Sequence, residues 1–202
     1  MIYLASKSPR RKELLYQIGV EHEIINIEVD ETISKQKSHK ENVAALSILK
    51  CQAGVHHIIN QKKIIFPILA ADTIVILENK IFGKPKSESD AINMLMKFSG
   101  KTHSVITGVT IGVILSDQVK FHTLSVESKV KFAKLNKNDC KEYCKTNEPF
   151  DKAGGYGIQG YGSAFVKEIK GSYSNIVGLP IYEVVELFKK LEIPYWNKKF
   201  SS

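Results

Sequence analysis

Ile68-Leu69-Ala70-Ala71-Asp72-Thr73-Ile74-Val75-Ile76-Leu77 is an apolar run of strand character interrupted once, by an aspartate. An ionised carboxylate in such a run is costly to bury unless a cation, a metal or hydrogen-bond donors meet it. Small or β-branched residues flank Asp72 and carry the strand past it. Either the aspartate caps a turn at a strand end, or the fold brings a partner to it. Glu78-Asn79-Lys80 marks a turn and Gly83-Lys84-Pro85 follows a second short strand, so the chain returns as a hairpin. Lys84 can then point toward the same end of the sheet as Asp72, and an acid and a base meeting there would form a site.

The chain has 202 residues, 43% of them hydrophobic, enough for one sizeable core, with or without a division into two lobes. Lys+Arg of 29 against Asp+Glu of 21 leaves a net charge of +8, which suits a phosphate-rich partner, nucleotide or nucleic acid. The lysines are scattered, however, and charge alone does not choose between these. Cys51, Cys140 and Cys144 are too few and too unevenly spaced for a disulfide framework, and no second pair completes a zinc set with the last two. They read as core. Met1-Ile2-Tyr3-Leu4-Ala5 is too short for a signal-peptide core, and no apolar run approaches the ~20 residues of a membrane span. A cytoplasmic protein without a membrane partner is expected.

Ile2-Tyr3-Leu4-Ala5 reads as a buried strand, followed by a polar turn and a helix that starts at Ser8-Pro9 and stops at Gly19. Strand, turn and helix N-terminus make an anion site, and Arg10 and Arg11 stand beside it. Glu23 to Val29 reads as a strand ending at Asp30-Glu31, a carboxylate pair that either holds a divalent cation or faces water. A helix from Glu41 to Ala53 carries Lys50 at the edge of its apolar face. Ser87 to Asp90 resembles a capping box before a helix that ends at Gly100. Two long strands follow, Val105 to Leu115 and on through Phe121 to about Phe132, then a helix from Lys137 to Lys145. Glu148-Pro149-Phe150-Asp151-Lys152-Ala153-Gly154-Gly155-Tyr156-Gly157-Ile158-Gln159-Gly160 is neither a Walker loop nor a dinucleotide fingerprint. Its glycines let backbone approach a ligand, and Gln159 offers the donor and acceptor needed to read a base edge. A strand from Ala164 to Ile169 and a helix from about Pro180 close the chain.

Leu4-Ala5-Ser6-x-Ser8-Pro9-Arg10-Arg11, Ala71-Asp72-Thr73, Gly83-Lys84-Pro85, Asp151-Lys152-Ala153-Gly154 and Gly171-Ser172-Tyr173 through Gly178-Leu179-Pro180 occur in an order and spacing that resemble the Maf proteins. The resemblance runs from residue 2 to about residue 190. It implies a nucleoside triphosphate pyrophosphatase that releases a monophosphate and pyrophosphate with a divalent metal, Mg²⁺ or Mn²⁺. It also implies an α/β fold: a long mixed sheet in two lobes with a central cleft, like the inosine triphosphate pyrophosphatases. Residues 1–196 would form one such domain and 197–202 a tail.

The ending Tyr156-Gly157-Ile158-Gln159-Gly160 is similar to the branch acting on dTTP and UTP. By resemblance Asp72 is the proton acceptor, and Arg10, Thr73 and Gln159 occupy selectivity positions. Ser6, Arg11, Glu31, Lys50 and Lys84 line the family's cleft, with Glu31 and Asp72 as metal ligands and Lys84 and Glu31 beside the chemistry. Lys84→Ala and Arg11→Ala are expected to weaken triphosphate use with little change in stability. A homodimer is expected as well. Two rivals stand against this reading: a nucleotide- or nucleic-acid-binding regulator of cell division, and a pyrophosphatase for non-standard purine triphosphates. No nucleic-acid motif or aromatic stacking platform favours the first, and Gln159 speaks for a pyrimidine through the resemblance alone.

Overall fold

The computed structural model of the chain describes residues 1–197 except Lys35 and Asp117. In order the elements are β1 (Ile2–Leu4), α1 (Pro9–Gln17), β2 (His22–Ile24), α2 (His39–Asn60), β3 (Ile68–Leu77), β4 (Lys80–Phe82), α3 (Glu88–Phe98) and β5 (Thr102–Ile114). They continue with β6 (Val119–Phe132), α4 (Lys137–Cys144), β7 (Val166–Lys170), α5 (Tyr173–Val177) and α6 (Ile181–Lys190), three short 3-10 turns lying between α4 and β7. The strands form one mixed sheet in the order β2-β1-β3-β5-β6-β7, with β4 paired to β3. β1 runs parallel to β2 and β3, whereas β4 on β3 and β7 on β6 are antiparallel. This is the α/β class with a mixed sheet that the sequence predicts.

β3 is buried at every position but Thr73, as expected of an apolar run without alternation. The β3–β4 hairpin turns through Glu78 and Asn79, both at positive φ (49° and 64°), and pairs Leu77 with Lys80. Two positive φ values are what a tight two-residue hairpin demands.

The chain forms two compact units. One comprises Met1–Asp72, Thr107–Val126 and the chain from Gly178 onward; the other comprises Thr73–Ile106 and Glu127–Val177. In the first, Tyr3, Ala5, Ile25, Cys51, Val55, Ile58, Ile68 and Ala70 make a buried cluster. A Cβ at Gly108 of β5 would run into Val43 O of α2 and stand 2.9 Å from Ala44 N, so glycine is what lets helix and strand backbones approach there. Ser47 Oγ lies 2.7 Å from Thr110 Oγ1, which lies 2.9 Å from Thr123 Oγ1. This hydroxyl chain fixes α2 one turn before Lys50.

In the second unit Phe98, His103, Phe132 and Tyr156 pack ring against ring, Phe98 and His103 with centroids 4.4 Å apart. His103 Nε2 hydrogen-bonds Tyr156 Oη at 2.8 Å, and burial pushes the imidazole down to about 4. It is therefore neutral near pH 7. Cys140 and Cys144 are buried in α4, and Cys51 in α2; all three are free thiols, as a core role requires.

Several boundaries differ from expectation, β5 beginning at Thr102 rather than Val105 and β7 at Val166 rather than Ala164. β2 stops at Ile24 rather than Val29 because its partner β1 ends at Leu4, the last paired residue. Ile25, whose N still donates to Leu4 O at 3.0 Å, is buried in the core and Ile27 packs against it, which keeps the apolar alternation beyond the strand. α2 begins at His39 and runs to Asn60, with Ser38 and Glu41 forming a reciprocal capping box. α5 has no counterpart in the sequence reading. Residues 198–202, most of the expected tail, lie outside the described residues.

Candidate active site

Asp72 is buried on β3, and its partner comes from α2. Lys50 Nζ donates to Asp72 Oδ1 at 2.6 Å and contacts Glu31 Oε1 at 2.7 Å. The Lys50 and Asp72 side chains are only 11% and 12% exposed, whereas Glu31 is 62% exposed. Burial next to Val43, Leu46 and Cys51 on the same helix face places the lysine stem in the core and its ammonium on Asp72. The aspartate that interrupts the apolar run is therefore paired, as the cost of burying it requires.

The expected carboxylate pair divides. Asp30 Oδ1 accepts from Thr32 N (3.0 Å) and from Thr32 Oγ1 (2.6 Å), a local turn whose hydrogen bonds hold the carboxyl below its ordinary range. Glu31 alone reaches Lys50. Neither residue stands at a strand end, because β2 has already finished at Ile24.

Arg11, in the first turn of α1, is not a solvated cation. Its Nε donates to Gly178 O at 2.8 Å and its Nη1 to Ser6 Oγ at 3.0 Å. Ser6 Oγ also accepts from Ser8 N at 3.2 Å. Burial lowers the Arg11 pKa, Asp72 and Glu31 act to raise it, and Arg10 to lower it. The guanidinium thus lies within the field of the Lys50 cluster. α1 has no acidic residue in its first turn and no side-chain cap from Ser8, so its N-terminus remains suited to an anion. Gly178 O is a contribution that sequence reading missed, since a backbone carbonyl leaves no residue-type signal. Removing Arg11 would take a donor from Gly178 O and one of two from Ser6 Oγ, so Arg11→Ala is expected to lose some stability along with triphosphate use.

Ser6, Arg10, Arg11, Glu31, Lys50 and Asp72 all belong to the first unit. Thr73, Lys84 and Gln159 belong to the second. Lys84 is exposed two residues beyond the end of β4 at Phe82. Gln159 is exposed in a turn between the second and third 3-10 segments.

A family model described as Maf-like protein matches residues 1–191. The chain belongs to the Maf family. Among curated relatives, the dTTP/UTP pyrophosphatase of Saccharophagus degradans is 42% identical, over 97% of this chain and 91% of that protein. That of Clostridioides difficile is 47% identical over 94% of each chain, and that of Thermosipho africanus 47% over 92% and 91%. Among the described residues of this Maf chain no helix is long and apolar enough to cross a membrane.

The donor set bears on the metal that the family implies. Among the described residues no group of three His, Cys, Asp or Glu side chains could hold an ion. Two carboxylates, Asp72 and Glu31, converge on Lys50. That fits a hard cation bound by one or two carboxylates together with substrate phosphates and water, and not a metal enclosed wholly by protein.

Proposed function

We propose that this Maf protein hydrolyses dTTP and UTP to the monophosphate and pyrophosphate, with Asp72 as the proton acceptor. The observation that carries the mechanism is the buried Asp72 carboxylate held by Lys50 Nζ at 2.6 Å. With Oδ1 so occupied, the other Asp72 oxygen serves the attacking water, taking its proton as the α-phosphorus is attacked. Glu31 steadies Lys50 from the solvent side, at 2.7 Å. Arg11, held by Ser6 and Gly178, brings its positive charge to the phosphate oxygens, and Arg10 and Lys84 supply more. Asp72 and Glu31 would hold Mg²⁺ or Mn²⁺, which would offset charge growing on the pyrophosphate leaving group. Removal of divalent ions with EDTA should abolish turnover and added Mg²⁺ or Mn²⁺ restore it; turnover indifferent to EDTA would remove the metal from this account.

The relatives at 42–47% identity over nearly the whole chain, each a dTTP/UTP pyrophosphatase, support the pyrimidine substrate. In this reading Thr73 and Gln159 contact the nucleoside. Uracil and thymine present carbonyls flanking an N–H; cytosine replaces that N–H by an acceptor and one carbonyl by an amine. A side-chain amide set for the first pattern leaves polar groups unpaired with the second. Pyrophosphate release from a panel of nucleotides should give kcat/KM for dTTP and UTP at least about tenfold above CTP, ATP and GTP. Gln159→Ala should narrow that gap. A flat profile would contradict the assignment, and a purine preference would favour the rival pyrophosphatase. A single domain over 1–196, a homodimer, a cytoplasmic location and the absence of a nucleic-acid ligand complete the proposal on the strength of the resemblance.

A further inference from the structure

Glu148 is half-buried at the start of the 3-10 turn Glu148–Asp151, and the chain folds back around its carboxylate. Oε1 accepts from Tyr143 Oη at 2.8 Å and from Gly162 N at 3.0 Å, while Oε2 accepts from Tyr161 N at 2.9 Å. Tyr143 Oη in turn accepts from Gly157 N at 3.1 Å. One carboxylate and one phenol therefore hold three backbone N–H groups on both flanks of Gln159. An ionised carboxylate is the side chain suited to this, since it accepts through both oxygens and donates through neither.

The wrapping is close. A Cβ at Gly160 would run into Glu148 Oε2, and one at Gly157 would stand 2.8 Å from Glu148 Oε1 and from Lys152 Cε. These glycines admit the carboxylate, a role distinct from approaching a ligand. Tyr143 is itself fixed: it is buried on α4 with its ring edge-on to Phe165, centroids 5.0 Å apart. Burial raises its pKa and Glu148 adds to this, so the phenol keeps its proton. Burial alone would raise the Glu148 carboxyl, yet Gly162 N, Tyr143 Oη, Tyr161 N and Lys152 together hold it below its ordinary range. Upstream, Tyr156 is anchored by His103. Gln159 and Gly160 remain exposed between these anchored points.

We infer that Glu148, acting with Tyr143, is a positioning residue for Gln159: it sets the 157–162 turn and thereby the discrimination between uracil or thymine and cytosine. The inference rests on the proposal that Gln159 reads the base. A misplacement on the order of 1 Å at a positioning group costs about a hundredfold in rate, so a slackened turn should be visible in selectivity.

The test is a double-mutant cycle read as the ratio of kcat/KM for dTTP over CTP, in the full-length protein. Glu148→Ala and Tyr143→Phe should each lower the ratio by about 10–100-fold, chiefly through KM for dTTP. The double variant Glu148→Ala/Gln159→Ala should show the same ratio as Gln159→Ala alone, because Glu148 acts only through Gln159. A purely structural Glu148 would lower turnover of both nucleotides equally and leave the ratio unchanged, which would overturn the inference. Additive losses in the double variant would overturn it too. Should Glu148→Ala fail to fold, Tyr143→Phe decides, since it removes a single oxygen and keeps the ring packing. A ratio unmoved by Gln159→Ala would instead reject base reading by Gln159, and with it the premise.

Discussion

Asp72→Asn is expected to fold and to turn over dTTP about 10²–10⁴-fold more slowly than the parent chain, the usual cost of losing a general base. The two halves of this expectation have separate causes. Asparagine matches aspartate in shape, and its amide oxygen can still accept from Lys50 Nζ, now 2.6 Å from Asp72 Oδ1. Lys50 also retains Glu31 at 2.7 Å, so the ammonium is not left without a counter-charge. What disappears is a group able to take a proton from water. Circular dichroism and urea unfolding report on the first half, steady-state kinetics on the second. An Asn variant with near-parental kcat would reject Asp72 as proton acceptor.

The second large effect falls on stability. Lys50→Met keeps the apolar stem within α2 but withdraws the ammonium from two carboxylates, one of them only 12% exposed. Removing one partner of a buried ion pair typically costs about 3–5 kcal/mol, because the remaining charge is stranded. Glu31 is mostly exposed and recovers its hydration, so Asp72 carries that cost. Lys50→Met should therefore unfold at markedly lower urea than Asp72→Asn, and its dTTP activity should fall as well. The double variant Lys50→Met/Asp72→Asn should regain part of the lost stability, since no buried carboxylate remains unpaired. Equal unfolding midpoints for Lys50→Met and the double variant would show that the pair is not what makes the site costly to break.

These expectations also show how far the sequence reaches. β3 was legible because a strand buried on both faces needs an unbroken apolar run, and Asp72 stood out because a carboxylate there needs a partner. The partner itself was legible only as Lys50 at the edge of a helix face; that its ammonium would meet Asp72 and Glu31 together depends on how α2 packs on β5 at Gly108. The true start of α2 was within reach, since Ser38-His39-Lys40-Glu41 has the spacing of a capping box. β2 was overextended because alternation reports burial on one side, whether or not a neighbouring strand is present to pair with. Glu148 and Gly178 O carried no signal of their role, because both act through backbone groups distant in sequence or unmarked by side-chain type.

The central claim, that water assisted by Asp72 attacks the α-phosphorus, is tested most directly by hydrolysing dTTP in ¹⁸O-water and locating the label by mass spectrometry. The account predicts ¹⁸O in dTMP and none in the pyrophosphate. Label in the pyrophosphate, or release of orthophosphate with dTDP, would contradict it.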